Sequence, residues 1–367
     1  MAASGRNAPA GLPPELADQH SHVFCGHLAP TYTSTVEYAG VYASLGVDNG
    51  LDLDLFKRGL AITIQHRSED RTELVFDMVG VDAPIANALR RILIAEVPTM
   101  AIEKVWVLNN TSIIQDEVLA HRLGLVPIRA NPKLFEQKGD NESNATNTIC
   151  FRLRTECKRN ADKASADTTP YEGDKVLSSQ LRWVPQGDQA QDLEGDPPRP
   201  VHDDILIAKL RPGQAIEVEC WCEKGIGRTH AKWSPVATAS YRLLPRINLK
   251  EPVTGEDAHA LKKMCPMDVF DIEDLEGVQT AKAARPRNCT VCRECVREPE
   301  WAERVELTRV KDHFIFSVES TGAMDAERLV KDALGILKQK ALDTAQLLKD
   351  TLAQRADAAA MEHDDAL

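Results

Sequence analysis

The chain has 367 residues, a formal net charge of −12, 43 % apolar residues and 5 % aromatic ones. That length allows about two domains with a sizeable core. The acidic balance argues against a main role in gripping nucleic-acid phosphates, where Lys and Arg supply most non-specific affinity, but it leaves membership of a nucleic-acid machine open. The opening MAASGRNAPAGLPPELADQH has no signal-like apolar region, and no stretch approaches the roughly 18 apolar residues of a membrane span. A soluble intracellular protein with no membrane partner is expected.

Residues 1–55 are rich in Pro, Gly and polar side chains and read as an extended N-terminal arm. The runs GLAITIQHR and TELVFDMVG then flank the charged turn SEDR, which predicts an antiparallel strand pair. A helix is predicted over 82–96, with Asp82 as N-cap and Pro98 closing the segment. Ile85, Leu89, Ile92 and Leu93 give it an apolar stripe. AIEKVWVLNNT alternates as a strand, and QDEVLAHRLGLVPI reads as a short helix ended by Gly124.

Between 129 and 235, polar loops separate short strands, which predicts a strand-rich inserted domain. Cys157, Cys220 and Cys222 there continue apolar stripes in TICFRLRTECK and AIEVECWCE, so they read as buried thiols. After ATASYRLLPRINL, a further strand-like run, comes the Cys region; VELTRVKDHFIFSVESTG then predicts two strands. A long helix follows from about Met324, with Val330, Leu334, Leu337, Ala341 and Leu348 spaced like a coiled-coil seam, and 356–367 read as a flexible tail. The first and last thirds, 56–128 and 236–355, thus look like one sheet-and-helix unit. Two helical stripes stay partly uncovered by its sheet, and a partner is the economical explanation.

NCTVCRECV sets Cys289, Cys292 and Cys295 three residues apart, and Cys265, followed by Pro266, offers a fourth thiol. One complete four-Cys set of a two-cluster ferredoxin has this form, Cys-Pro, a gap, then C-x2-C-x2-C. The residues leave a single [4Fe-4S] cluster, zinc and free thiols open, with the Cys-Pro pairing favouring iron. Disulfides are disfavoured without a secretory signal. Glu298 and the carboxylates of FDIEDLEG are expected to make the surroundings of any cluster negative.

ANALRRILIAEVPTMAIEKVWVLNNTSIIQDEVLAHRLGLVPI, residues 86–128, resembles the signature of the α-like assembly subunits of cellular RNA polymerases, and GIGRTHAKWSPVATASYRLLP, residues 225–245, resembles their second signature. The likeness spans about 50–350, and RTELVFDMVGVDAPIANALRRILIAEVPTMAIEKV looks most like the branch shared by eukaryotic polymerases I and III. The resemblance implies an α+β fold: an α-like dimerisation domain of antiparallel sheet plus helices, interrupted by the inserted strand-rich domain and by a small ferredoxin-like insert over 262–300.

The resemblance also implies a non-catalytic subunit in the nucleus, including the nucleolus, serving transcription of ribosomal and small RNAs. Its partners would be a smaller α-like subunit, the second-largest polymerase subunit and other subunits of polymerases I and III, with little direct DNA contact. The dimerisation residues implied are Ile85, Leu89, Ile92, Leu93, Val330, Leu334 and Leu337. Arg90 and Arg91 would face the large subunit, and some archaeal members hold an iron–sulfur cluster in a ferredoxin-like insert. His230 and Trp233 read as packing, since no partnering acid or nucleophile stands at a recognisable spacing. An iron–sulfur redox protein is the rival, but it needs a second cluster run or a G-x-G-x-x-G, and GIGRTH has only the first two glycines. Acidic pairs such as Asp203 and Asp204 sit in a Pro-rich loop and carry no nuclease reading.

Overall fold

The computed structural model describes residues 9, 11–34, 40–159, 171–275 and 277–364. In chain order the principal elements are α1 (Pro14–Ser21), β1 (His22–Cys25), β2 (Pro30–Thr31), α2 (Leu53–Gly59), β3 (Ala61–Arg67), β4 (Glu73–Val79), α3 (Ala83–Ala95), β5 (Pro98–Asn110) and α4 (Asp116–Gly124). They continue with β6 (Thr148–Glu156), β7 (Arg182–Val184), β8 (Ala215–Ile226), β9 (Val236–Leu249), α5 (Glu256–Met264), β10 (Phe270–Leu275), β11 (Val278–Ala283), α6 (Pro299–Arg304), β12 (Val305–Ser320) and α7 (Ala326–Asp364). The chain folds as two compact units. One takes residues 1–66, 75–88 and 240–317, the other 67–74, 89–239 and 318–367.

The first unit is built on a six-stranded sheet of order β2-β1-β12-β4-β3, with β9 also paired to β12. β12 is one strand of 16 residues rather than the two expected, because no Gly or Pro interrupts it. Its middle is buried on both faces, with Phe316 stacked on Phe76 at 5.0 Å and Tyr241 edge-on to Phe314 at 5.3 Å. Gly80, at φ +80°, ends β4 where a Cβ would stand 2.3 Å from the Gly59 carbonyl oxygen, so the exit of β4 can pass the end of α2 only as glycine.

The N-terminal segment departs from an extended arm. Pro14 sits in the first turn of α1, and β1 pairs antiparallel with β12, His22 opposite Val310 and Phe24 opposite Thr308. The Lys311 ammonium fastens the segment by donating to the carbonyls of Gln19 at 3.0 Å and Ser34 at 2.8 Å. Residues 1–8, 10 and 35–39 of the expected arm lie outside the described residues. Around the Cys region, α5, the β10–β11 hairpin and α6 enclose a small core of Val253, Leu261, Val269, Phe270 and Trp301, to which β1 adds Val23 and Cys25.

The second unit centres on a four-stranded sheet of order β7-β6-β8-β5. Alternation along β6 and β8 turns Phe151, Leu153, Ile216, Val218, Cys220 and Cys222 into one core, which Leu119 and Leu123 of α4 complete. β5 pairs with β8 from Ile216 to Ile226, so β5 and α4 belong with the inserted strands and not with the first sheet. The boundary expected at 128/129 therefore moves to within α3, because backbone pairing of β5 outweighs its position in sequence. α7 continues through most of the expected tail, to Asp364, and residues 365–367 lie outside the described residues. No described helix is long and apolar enough to cross a membrane.

Candidate functional site

α3 starts where the Asp82 carbonyl accepts from the amides of Ile85 and Ala86, and its period turns Ala86, Leu89, Ile92 and Leu93 inward. Leu89 and Leu93 are 0 % exposed and Ile92 2 %, so these three implied dimerisation residues are packed inside the chain itself. Ile85 remains exposed on the same helix. Arg91 is exposed, whereas Arg90 is half-buried and engaged within the chain.

On α7, Val330 is buried, and Leu334 and Leu337 are half-buried. The helix is secured by Lys340 to Glu96 at 2.8 Å, Arg67 to Glu327 at 3.0 Å and Lys133 to Asp332 at 2.5 Å. From Lys338 to Arg355 every position is exposed. Leu342, Leu347, Leu348 and Leu352 lie in this stretch, so the helix carries an uncovered apolar stripe that soluble surfaces seldom keep. Sequence reasoning named Leu348 but missed Leu342, Leu347 and Leu352; the doublet Leu347–Leu348 followed by Leu352 was the available signal.

The second signature is explained by close packing. A Cβ on Gly225 would meet the Trp233 ring at 2.3 Å, and one on Gly227 the Ile94 carbonyl oxygen at 2.2 Å. Both glycines thus let chain segments touch. The Trp233 indole N–H donates to the Glu223 carbonyl at 3.0 Å, Thr99 Oγ1 donates to the Trp233 carbonyl at 2.8 Å, and His230 Nδ1 accepts from the Lys232 amide at 3.1 Å. Lys232 pairs with Glu103 and lies 4.5 Å from the Trp233 ring centre. These contacts of His230 and Trp233 are structural.

Cys265, Cys289, Cys292 and Cys295 line one pocket with Ile247, Met267, Val269, Phe270 and Leu307. Cys265 caps α5, and the other three follow one another through a turn in which Val291 and Arg293 are left-handed, at φ +58° and +66°. That conformation is costly for a β-branched valine. It aims the Val291 amide at Cys289 Sγ, 3.3 Å away. Burial, followed by the charges of Cys289, Cys292 and Cys265, pushes the Cys295 thiol up to about 12. Burial also raises Cys289, against the Val291 hydrogen bond. The thiols therefore feel one another, and a cation among them would reverse this resistance to ionisation. Among the described residues, no three His, Cys, Asp or Glu side chains already stand as a metal-holding group.

The pocket lining carries one acidic residue, Glu294, beside one basic residue, Arg293. Two of the hairpin carboxylates are paired locally, Asp271 with Lys262 at 2.8 Å and Glu273 with Lys282 at 2.6 Å. Arg287 makes a bidentate pair with Asp77 of β4 at 2.8 Å and 2.8 Å, Gln65 donates to the same carboxylate at 2.8 Å, and His313 Nε2 lies 3.3 Å from it. Burial would raise the Asp77 pKa, but the Arg287 and His313 contacts outweigh it and the net shift is downward. This pair bolts the cysteine turn to the central sheet.

Residues 75–341 match the model of the RNA polymerase Rpb3/Rpb11 dimerisation domain. The chain is 51 % identical over 306 residues to DNA-directed RNA polymerases I and III subunit rpac1 of Dictyostelium discoideum, covering 83 % of this chain and 86 % of that protein. It is 48 % identical over 330 residues to RPAC1 of Homo sapiens, covering 89 % and 94 %. Against the polymerase II subunit rpb3 of Dictyostelium discoideum identity falls to 33 % over 281 residues, covering 74 % and 89 %. With α3, the start of α7 and both signatures inside the matched span, the chain belongs to the Rpb3/Rpb11 dimerisation-domain family of RNA polymerase subunits.

Proposed function

We propose that the chain is the larger α-like subunit shared by RNA polymerases I and III, a nuclear, non-catalytic protein that pairs with a smaller α-like subunit and so forms the platform for the second-largest subunit. The observation that carries the reading is the drop from 51 % identity with the I-and-III subunit to 33 % with the polymerase II subunit of one organism. The rival redox function has no dinucleotide fingerprint to support it. For a polymerase I component the nucleolus is the working site.

Ile85 of α3 and, separately, Leu334, Leu337 and the exposed leucines of α7 are proposed as contacts for the partner's helices. Leu89, Ile92, Leu93 and Val330 act beneath them by holding the helices in place. Arg91 is proposed to meet the second-largest subunit, with Arg90 shaping that face from within. Affinity purification of the tagged chain from its own cells tests the assignment. Co-elution of two distinct sets of very large subunits with one small α-like chain is expected; a single set would restrict the protein to one enzyme, and none would overturn the reading.

The four thiols are proposed to hold one metal centre, a [4Fe-4S] cluster by the Cys-Pro spacing, with zinc as the alternative. Four cysteines lining one pocket, an amide aimed at sulfur and a strained turn support this reading. The centre would tie Cys265 at the end of α5 to the turn at 289–295, a structural cross-link. Iron and zinc quantified together after anaerobic purification decide between the metals, and absence of both would remove the centre from the proposal.

A further inference from the structure

β5 is the outer strand of the four-stranded sheet and pairs with β8 on one side only. The register to β8 skips Glu103 and Leu108, and between these two bulges Lys104 to Val107 lie in unbroken register opposite Trp221 to Val218. Among the described residues, no main-chain segment other than β8 bonds to 103–109. An unpaired edge is usually blunted by Pro, by several charges or by a cover. No Pro occurs between Pro98 and Pro127, and the straight stretch holds one charge, Lys104. Trp106 is 64 % exposed and Leu108 59 %, so large apolar side chains flank backbone groups that have nothing to bond. Strand alternation turns Val105 and Val107 the other way, onto the core under α4. On that side Val105 borders a pocket of about 200 Å³ whose polar lining is Glu103, His121, His230 and Lys232. Small-molecule sites run to roughly 300–1,000 Å³, so this recess suits one side chain. Glu103 is already engaged by Lys232. His230 Nδ1 accepts from the Lys232 amide, which leaves the ring proton on Nε2 as a donor. What the pocket offers a newcomer is therefore hydrogen-bond donors.

We propose that the free edge of β5 at Lys104–Val107 receives an extended segment of another protein chain as an added strand, with an Asp or Glu side chain of that segment entering the pocket between β5 and α4. Unpaired main-chain donors and acceptors in strand geometry are satisfied by another strand, and pockets beside the edge select its alternate side chains. Neighbouring residues of a strand face opposite ways, so the segment carries an apolar residue next to the acid, the first lying on Trp106 and Leu108 and the second meeting His121 and His230. The carboxylate is chosen by complementarity, because it only accepts and the free polar groups of the pocket donate. The two bulges limit the added strand to a few residues and fix where it sits. This site lies apart from the helical stripes of α3 and α7 and does not depend on which assembly the chain joins.

Hydrogen exchange tests this, comparing the chain co-expressed with its small α-like partner and the complete complex purified from cells through a tag on this chain. Amides within Lys104–Val107 are expected to exchange about tenfold more slowly or less in the complete complex, as a strand edge does once paired. Benzoylphenylalanine in place of Trp106, photolysed in the same complex, should crosslink to a peptide of another chain that has Asp or Glu beside the captured residue. Leu108→Asp, at an exposed position, should keep the heterodimer intact by gel filtration and lose the protection. Equal exchange in the two samples overturns the added strand. A crosslink to a second copy of this chain replaces the partner with self-pairing and overturns the proposal, a captured peptide without an acid overturns the pocket's role, and full protection in Leu108→Asp overturns the contact with the apolar pair. If Leu108→Asp fails to fold, wild-type exchange and the crosslink still decide. Absence of polymerase subunits from the tagged complex would overturn the proposed function alone, since the edge is read in whatever complex is recovered.

Discussion

Two sets of cysteines in this chain have opposite fates. Cys150, Cys220 and Cys222 lie on adjacent strands of the second unit, with Cys220 opposite Phe151 and Cys222 opposite Ile149, and none is more than 3 % exposed. Burial pushes Cys150 up to about 11 and Cys220 up to about 12, so they behave as small hydrophobes. Cys265, Cys289, Cys292 and Cys295 of the first unit come from turns, share one pocket and range from buried to exposed. Strand periodicity disperses side chains over a core, whereas short irregular turns bring them to one point. The leucines of the platform helices divide likewise: Leu89 is 0 % exposed and Leu348 59 %.

The largest effect should come from placing a carboxylate at each kind of cysteine. Cys222→Asp buries an unpaired charge and should cost at least about 4 kcal/mol, enough to abolish soluble heterodimer, while Cys292→Asp should change folding stability by less than about 0.5 kcal/mol. Chemical denaturation of the metal-free heterodimers checks this, and equal losses would break the contrast.

The leucine contrast predicts a smaller, more selective effect. Leu348→Asp should leave the chain folded but weaken pairing with the small subunit tenfold or more, the scale of burying one leucine at an interface. Leu89→Asp should instead prevent folding, so loss of the complex in that variant says nothing about the interface. Unchanged affinity in Leu348→Asp, measured by fluorescence titration, would remove the outer half of α7 from the proposed surface.

Asp77→Asn leaves Arg287 without its carboxylate and should cost about 2 kcal/mol at pH 7, less than a fully buried pair because Arg287 is 34 % exposed. The folded pKa of Asp77 is lowered, so its contribution is complete above the unfolded value of about 3.9 and disappears as pH falls through the folded value. The gap in Tm between wild type and Asp77→Asn should therefore be widest near neutrality and close below about pH 4. A gap independent of pH would assign the loss to packing.

The smallest effect on folding belongs to Arg91→Glu, within about 0.5 kcal/mol, since an exposed Arg contributes little to stability. Gel filtration should show the α-like heterodimer intact and addition of the second-largest subunit blocked. Intact three-way assembly would move that docking surface away from α3.

Much of this protein was legible in its local pattern. The period of ANALRRILIA marks α3, the alternation of AIEVECWCE marks a buried strand, and the C-x2-C-x2-C turn marks Cys289, Cys292 and Cys295 as a set, because each depends on residues a few positions apart. Long-range pairing settled what local pattern could not. Only the ladder to β12 shows that residues 22–25 are sheet and not arm, and only the ladder to β8 assigns β5 to the inserted strands. The stripe on α3 looked available to a partner because periodicity separates faces of a helix without saying which body covers them; tertiary packing buried Leu89, Ile92 and Leu93 inside the chain and left the leucines of outer α7 exposed. Likewise, no spacing rule could bring Arg287, beside the cysteine turn, to Asp77 of β4, since charges distant in sequence meet only when the fold brings their segments together.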